Sequence, residues 1–159
     1  MTATATQYAS ARNAAADYLQ RGMAPIPIPY GSKSPVITGW IDYRLNSPED
    51  FPNGRSNIGV ILGQASGGLV CVDLDDPTAV ILAPKYLPKT GLIAGRSSEP
   101  FNHYVYRVSG PFKKREFKHK ATNQKFIEIL GDGQQVVVGP SVHPTGDVYS
   151  DLNGEPAEI

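Results

Sequence analysis

Residues 68–75 read GLVCVDLD, an apolar run that ends in two carboxylates. The apolar part, rich in valine, is typical of a buried strand. Asp73 and Asp75 are two positions apart, and side chains at that spacing point to the same face of a strand. Two like charges held so close need a cation between them, and a divalent metal ion is the usual one. The stretch therefore predicts a buried strand with a metal site at its end.

The same carboxylates have a structural alternative, because acids at strand ends also cap helices and form turns. The sequence Asp75-Asp76-Pro77 is a typical start for a short helix that runs through Leu82. We expect Asp76 to have that capping role.

A third carboxylate, Glu128, lies inside the apolar stretch 126–130 (FIEIL). A charge there is costly unless it is paired, protonated or bound to metal. The structural alternative is a salt bridge to a lysine such as Lys118 or Lys125. On a neighbouring strand, Glu128 would complete with the two aspartates a two-metal site for phosphoryl transfer.

The other elements are short and are separated by glycine and proline. Residues 7–21 have apolar side chains at helical spacing, and Gly22 is a plausible stop. Residues 24–29 (APIPIP) indicate an edge strand or a polyproline segment, because proline cannot donate to a sheet ladder. Further strands are predicted at residues 57–63, 103–108, 125–130 and 135–138, the last two joined as a hairpin by the turn at 131–133 (GDG).

Composition limits the class of protein. The chain has 159 residues, a net charge of +0 and 40% hydrophobic residues, which predicts one packed domain. A single cysteine, Cys71, excludes an internal disulfide and a cysteine-based zinc site and is typical of a reducing cytosol. No apolar run approaches the ~20 residues that cross a bilayer, and residues 1–6 lack the features of a secretory signal. We expect a cytoplasmic protein with no membrane partner.

Zero net charge means that any nucleic-acid site must be a local patch. Residues 113–125 hold six of the fifteen basic residues and a single acid, Glu116. A solvated loop is the structural alternative, but Phe112 and Phe117 lie among the charges, which favours a track for a nucleic-acid backbone with a stacking platform. The candidate contacts are Lys113, Lys114, Arg115, Lys118 and Lys120.

Two of the three histidines stand in informative positions. His103 opens an alternating strand, with Tyr104 and Tyr106 expected on the opposite face. His143 lies in residues 139–146 (GPSVHPTG), a loop that suits a phosphate or sugar contact and equally suits a rigid turn. Both histidines have a structural alternative, because an isolated histidine is more often a surface residue than a functional one.

Taken in order, these segments resemble the N-terminal primase–polymerase (Prim-Pol) domain of the archaeo-eukaryotic primase superfamily, found in phage and plasmid replication proteins. The resemblance covers most of the chain, from the first helix to Tyr149. The segments that carry it are 31–35 (GSKSP) with Trp40, 56–60 (SNIGV), Asp73-x-Asp75, 103–106 (HYVY), Glu128-x-x-Gly131-Asp132-Gly133 and Pro140-Ser141-x-His143-Pro144-x-Gly146. It implies an α+β fold, with an RRM-like antiparallel sheet fused to a small N-terminal α/β half and the active site in the cleft between them.

The resemblance also implies roles for single residues. Asp73, Asp75 and Glu128 match its metal-binding carboxylates, which would hold two Mg²⁺ or Mn²⁺ ions, and His103 matches the catalytic-site histidine that contacts the incoming nucleotide's phosphates. The residues that would help to hold the nucleotide are Lys33, Arg96, Ser141 and His143.

Two positions depart from the family's pattern. Phe101 stands where a phosphate-contacting serine is usual, so that Ser97 or Ser98 would have to reach in from farther away. Glu128 takes a place often filled by aspartate, and its extra methylene is expected to shift the second metal. The zinc-binding insertion of some relatives is missing, in agreement with the single cysteine.

The expected function is template-dependent nucleotidyl transfer from nucleoside triphosphates to a primer 3′-OH on single-stranded DNA. Residues 1–159 are expected to form one catalytic core, the N-terminal part of a longer replication protein of the bacterial or phage-infected cytoplasm, with a helicase domain as is typical of such proteins. In relatives, de novo priming tends to need a helical segment after this core, so primer extension with weak or absent priming is expected. The alternatives are a metal-dependent nuclease and a non-catalytic RRM-like module that binds single strands.

Overall fold

In the computed structural model, which describes residues 6–159, the chain forms two α-helices and nine strands in two sheets. The helices are α1 (Ala11–Gln20) and α2 (Pro77–Tyr86). The strands are β1 (Ala24–Ile28), β2 (Asn57–Ile61), β3 (Leu69–Leu74), β4 (Ile93–Arg96), β5 (Glu99–Arg107), β6 (Arg115–Lys118), β7 (Lys125–Leu130), β8 (Gln135–Val138) and β9 (Ala157–Glu158). The expected α+β class is confirmed. None of the helices in the described part of the chain is long and apolar enough to cross a membrane.

The smaller sheet has the order β1-β2-β8, with both pairings antiparallel. Strand β1 therefore lies at an edge, as one of the two interpretations of its prolines predicted. All five residues of β2, between its two neighbours, are buried.

The larger sheet has the order β4-β5-β3-β7-β6, and β9 adds a short parallel pairing to β5. Strand β3 lies at its centre, as expected for a buried apolar run, and pairs antiparallel with β5 and β7. This register places Asp73 directly opposite His103 on one side and Glu128 on the other.

The predicted hairpin of β7 and β8 is wrong, because the two strands belong to different sheets. Strand β7 is already paired on both edges, by β3 and β6, and has no free edge for β8. The turn between them is held by Asp132, whose carboxylate accepts hydrogen bonds from the backbone N–H groups of Gln64 (2.7 Å) and Phe112 (2.6 Å). The turn thus carries the chain from the larger sheet to the smaller one.

The helices differ in extent from the prediction. Helix α1 begins after Ser10, whose hydroxyl accepts the Asn13 N–H, while the backbone N–H of Gln7 donates to Asp151 at 2.8 Å and stays outside the helix. Asp76 is the N-cap of α2, as predicted, with its carboxylate accepting the Thr78 N–H at 2.8 Å. Helix α2 then continues beyond Leu82.

The two faces of the larger sheet are covered differently. One face packs against α1 and the smaller sheet through buried residues that include Leu69, Cys71 and Val105. The other face packs against α2, and Tyr104 and Tyr106 lie there as predicted. The main core therefore fills the space between the sheets.

The buried hydroxyl of Tyr18 provides a test of this packing. It donates to the Gly139 carbonyl (2.8 Å) and accepts the Leu152 N–H (3.1 Å), which joins α1 to two distant loops. The substitution Tyr18→Phe removes the hydroxyl and leaves both backbone groups without partners. We therefore expect the free energy of unfolding, measured by urea titration, to fall by about 1–3 kcal/mol. Tyr8→Phe removes only a part-buried hydrogen bond to Asp17 and should cost less. Equal losses in the two variants would contradict this role.

Candidate active site

The face of the larger sheet that forms the core carries ionisable residues at its far end. Along β3, Leu69 and Cys71 pack in the core and Asp73 is the next residue on the same face. His103 and Glu128 are its cross-strand partners. The site therefore lies on the same face of the larger sheet as the core, beyond the apolar side chains.

Three carboxylates meet at this end of the sheet. Oxygen atoms of Asp73, Asp75 and Glu128 all lie within 4.8 Å of one another, so the predicted convergence is found. Asp75 follows the last residue of β3, and its N–H donates to the Phe126 carbonyl at 3.1 Å, which extends the pairing with β7. Burial, together with the negative charges of Asp73 and then Glu128, raises the pKa of Asp75 above its ordinary value.

The donor set fits a divalent cation such as Mg²⁺ or Mn²⁺. These hard ions prefer carboxylate oxygens, and three of them from two adjacent strands converge here. Glu128 is only 7% exposed, so its charge needs a cationic partner. A divalent ion held by the three carboxylates would relieve the repulsion at Asp75.

His103 is held against the first carboxylate. Its Nε2 lies 3.3 Å from Asp73 Oδ1, with both side chains partly buried. Burial acts to raise the pKa of Asp73, but the hydrogen bond and charge of His103, with Lys125 and Lys33 farther off, outweigh it and lower that pKa. Asp73 is therefore the more readily ionised of the two aspartates.

Glu128 is also ion-paired, as the structural alternative proposed. Lys125 Nζ donates to its Oε2 at 2.6 Å, which confirms one of the two lysines named from the sequence. The second partner is Lys114, at 2.6 Å from Oε1, whereas Lys118 lies 3.6 Å from Glu116. Hydrogen bonds to Glu116 and then Glu128 raise the pKa of Lys114, and Glu128 raises that of Lys125.

A cavity of about 780 Å³ lies next to the carboxylates. Its walls come from both sheets, since Gln135 and Val136 of β8 face residues of β3 and β5 across it. The charged residues and histidines that line it are Lys33, Asp73, Asp75, Arg96, Glu99, His103, Lys114 and His143. The fold thus brings three of the four expected nucleotide-holding residues to the cavity that the aspartates and His103 line.

Arg96 joins the loop that contains His143 to the sheet. Its guanidinium pairs with Glu99 and lies 3.5 Å from Asp147 and 3.4 Å from the His143 ring. Burial, followed by the charges of Arg96 and Lys33, lowers the pKa of His143. The imidazole is therefore biased toward its neutral form.

Three side chains before His103, those of Ser97, Ser98 and Phe101, do not line the cavity. Ser97 and Ser98 donate to the Asp147 carboxylate instead of lining the cavity. Phe101 is 42% exposed and lines a separate groove beside α2 with Val80.

Ser141 occupies a different environment from the other nucleotide-holding candidates. It is 1% exposed, accepts the Ile58 N–H at 2.9 Å and donates to the Ile58 carbonyl at 3.2 Å. These bonds attach the His143 loop to β2.

Sequence reasoning missed Tyr149, Asn102 and Gln135, which also line the cavity. Tyr149 lies in a loop, where no periodicity marks it, and its ring centroid is 6.0 Å from that of His143. Asn102 and Gln135 are uncharged, so neither carried a signal. Only their positions beside His103 and after the GDG turn could have drawn attention to them.

Comparison with known families gives one match. The family described as bifunctional DNA primase/polymerase, N-terminal (Prim-Pol) matches residues 15–159. No protein of curated function matches the chain.

The repulsion at Asp75 predicts that this residue destabilises the metal-free protein. Because its pKa is raised on folding, its ionised form is less favourable in the folded chain, and the penalty is present above both pKa values. We expect Asp75→Asn to raise Tm by about 1–3 °C at pH 7, and the gain to vanish below about pH 4.

The matched control is Asp76→Asn, which keeps the N-cap. The Thr78 N–H lowers the pKa of Asp76, so its charge favours the folded state and this variant should not raise Tm. Thermal unfolding of the metal-free variants measures both effects, and a lower Tm for Asp75→Asn than for the unsubstituted chain would contradict the repulsion.

Proposed function

Because the chain belongs to the bifunctional DNA primase/polymerase family, we propose that it extends a DNA primer on a single-stranded template with nucleoside triphosphates. Family membership makes it a nucleotidyltransferase-type domain of DNA replication, with DNA and nucleotides as substrates. The observation that carries the finer proposal is the convergence of Asp73, Asp75 and Glu128 beside a cavity that Lys33, Arg96 and Lys114 also line. The arrangement suits the in-line transfer of a phosphoryl group.

Asp73, Asp75 and Glu128 would hold the divalent ions. Two such ions, when bound, supply activation of the primer 3′-OH and neutralisation of charge on the leaving pyrophosphate. In the reaction the 3′-oxygen forms a bond to the α-phosphorus, and the bond from that phosphorus to pyrophosphate breaks. Asp73 and Glu128 lie on strands paired on both sides, which is a rigid support for such a site.

Positive and hydrogen-bonding groups around the cavity would bind the triphosphate. Lys33, Arg96 and His143 line it, and charge-assisted hydrogen bonds from such groups are the usual way to hold phosphates. Asp73 orients the His103 ring through Nε2 and so fixes which edge of the imidazole is free for a phosphate oxygen.

The basic segment would bind the nucleic-acid backbone along the β6 edge. All four residues of β6 are exposed. Lys114 and Lys118 pair with Glu116, but Lys113, Arg115 and Lys120 form no ion pair with another described residue. No ion pair within the described chain neutralises these three charges, which are therefore available for contacts with phosphates.

Aromatic side chains lie in and beside the same basic segment. Phe117 is 43% exposed, and its ring centroid is 6.4 Å from that of Phe126. The Arg115 guanidinium lies 5.7 Å from the centre of the Phe112 ring. An exposed ring among cationic groups, as at Phe117, suits the stacking of an unpaired base.

Primer extension tests the central proposal. With Mg²⁺ or Mn²⁺, labelled nucleotides should enter a primed single-stranded template, and Asp75→Ala should reduce incorporation to background because it removes a metal ligand. Asp76→Asn, which removes the neighbouring carboxylate and keeps the helix cap, should retain activity.

Other outcomes separate the alternatives. Extension retained in Asp75→Ala would overturn the metal assignment. Cleavage of labelled single strands without added nucleotides would indicate a nuclease that uses the same carboxylates. Strand binding without either reaction and without a metal requirement would indicate a binding module.

Salt dependence tests the nucleic-acid track. We expect Arg115→Ala and Lys120→Ala each to weaken binding of a labelled oligonucleotide and to reduce the slope of log K against log[salt] by about 0.7, since each removes one phosphate contact to a single strand. Fluorescence anisotropy at several salt concentrations measures the slope. Lys89→Ala, outside the hairpin, is the control, and an equal effect there would refute a localised track.

A further inference from the structure

Lys114 makes a contact that its expected role, binding the nucleic-acid backbone, does not require. Its Nζ lies 2.6 Å from Glu128 Oε1 and 2.8 Å from Glu116 Oε1, so it bridges two glutamates. These glutamates face each other across β6 and β7, where like charges repel. The ammonium therefore stands at a carboxylate that the proposed metal site also needs.

The two lysines on Glu128 hold it differently. Lys125 Nζ makes a hydrogen bond to Oε2 and is absent from the cavity wall. Lys114 lies equally close to Oε1, but it is shared with Glu116 and lines the cavity, so its ammonium faces the space that a ligand would enter. The Lys114 contact is the more easily exchanged of the two.

An ammonium on Oε1 competes with a divalent ion for that oxygen. Two cations a few ångströms apart repel strongly in a partly buried site. Lys114 also lines the cavity that Lys33 and Arg96 line, so a phosphate group bound there would offer it another anionic partner. Its stem is flexible, and its charge is compact enough to move between the two.

We propose that Lys114 is a positioning residue that occupies Glu128 in the free protein and transfers to the triphosphate when nucleotide and metal enter. This inference rests on the proposed function of the carboxylates as metal ligands. Lys125 stays on Oε2 throughout and keeps part of the charge of Glu128 neutralised. The exchange makes metal binding without nucleotide weak and couples the two ligands through one side chain.

Metal binding without turnover tests the exchange. Titration of Mn²⁺ against the nucleotide-free chain, followed by the electron paramagnetic resonance signal of free Mn²⁺, should show about five- to tenfold tighter binding in Lys114→Met. The same variant should bind a non-hydrolysable nucleoside triphosphate with Mn²⁺ about five- to tenfold more weakly. Lys118→Met makes the same change in charge on a lysine whose ion pair, among the described residues, is with Glu116, and it should alter neither affinity.

Two further variants keep the result interpretable. If Lys114→Met unfolds because Glu116 and Glu128 repel, the double variant with Glu116→Gln restores the charge balance and should still bind Mn²⁺ more tightly than Glu116→Gln alone. Lys114→Arg keeps the positive charge, and its Mn²⁺ affinity should stay close to that of the unsubstituted chain.

The remaining outcomes overturn the proposal at different levels. Unchanged or weaker Mn²⁺ binding in Lys114→Met, with Mn²⁺ still lost in Asp75→Ala, would refute the exchange and leave the metal site intact. Reduced oligonucleotide binding as the only effect would show that Lys114 is a backbone contact. Absence of Mn²⁺ binding in every variant would overturn the metal site and the exchange together.

Discussion

The pairing of β3 between β5 and β7 is the constraint on which the site depends. Both pairings are antiparallel, and their registers place His103 and Glu128 opposite Asp73. A slip of one residue would turn Asp73 toward the apolar face under α2 and bring a leucine or valine into the cavity. Because burying an unpaired carboxylate against that face is costly, the apolar pattern of the strand protects the position of these ionisable groups.

Core and site share one surface of the larger sheet. Near the start of β3 this surface is dry, because α1 and the smaller sheet cover Leu69 and Cys71. At its other end the smaller sheet is separated from it by the 780 Å³ cavity, so carboxylates can ionise there. The crossing of the chain from β7 to β8 creates this arrangement, since it supplies Gln135 and Val136 as the opposite wall.

The electrostatic balance of the site is incomplete in the free protein. Asp73 has His103, and Glu128 has Lys114 and Lys125, but Asp75 forms no ion pair with another residue of the described chain. Its pKa is raised by burial and by the other two acids. Like charges held together in this way lower stability, a cost that is common at functional sites.

The sequence by itself determined the strand that ends in Asp73-x-Asp75 and the cap at Asp76, because these follow from local alternation and capping chemistry. It limited residues 24–29 to an edge strand or a polyproline segment, because proline lacks the N–H that a central strand donates. It also marked Glu128 as a buried charge that needs a partner. Tertiary structure alone decided that β7 and β8 belong to different sheets, since pairing depends on which edges are free. It likewise decided that Lys114 faces Glu128 and that Tyr149 lines the cavity, because contacts between distant residues leave no periodic signal in the chain.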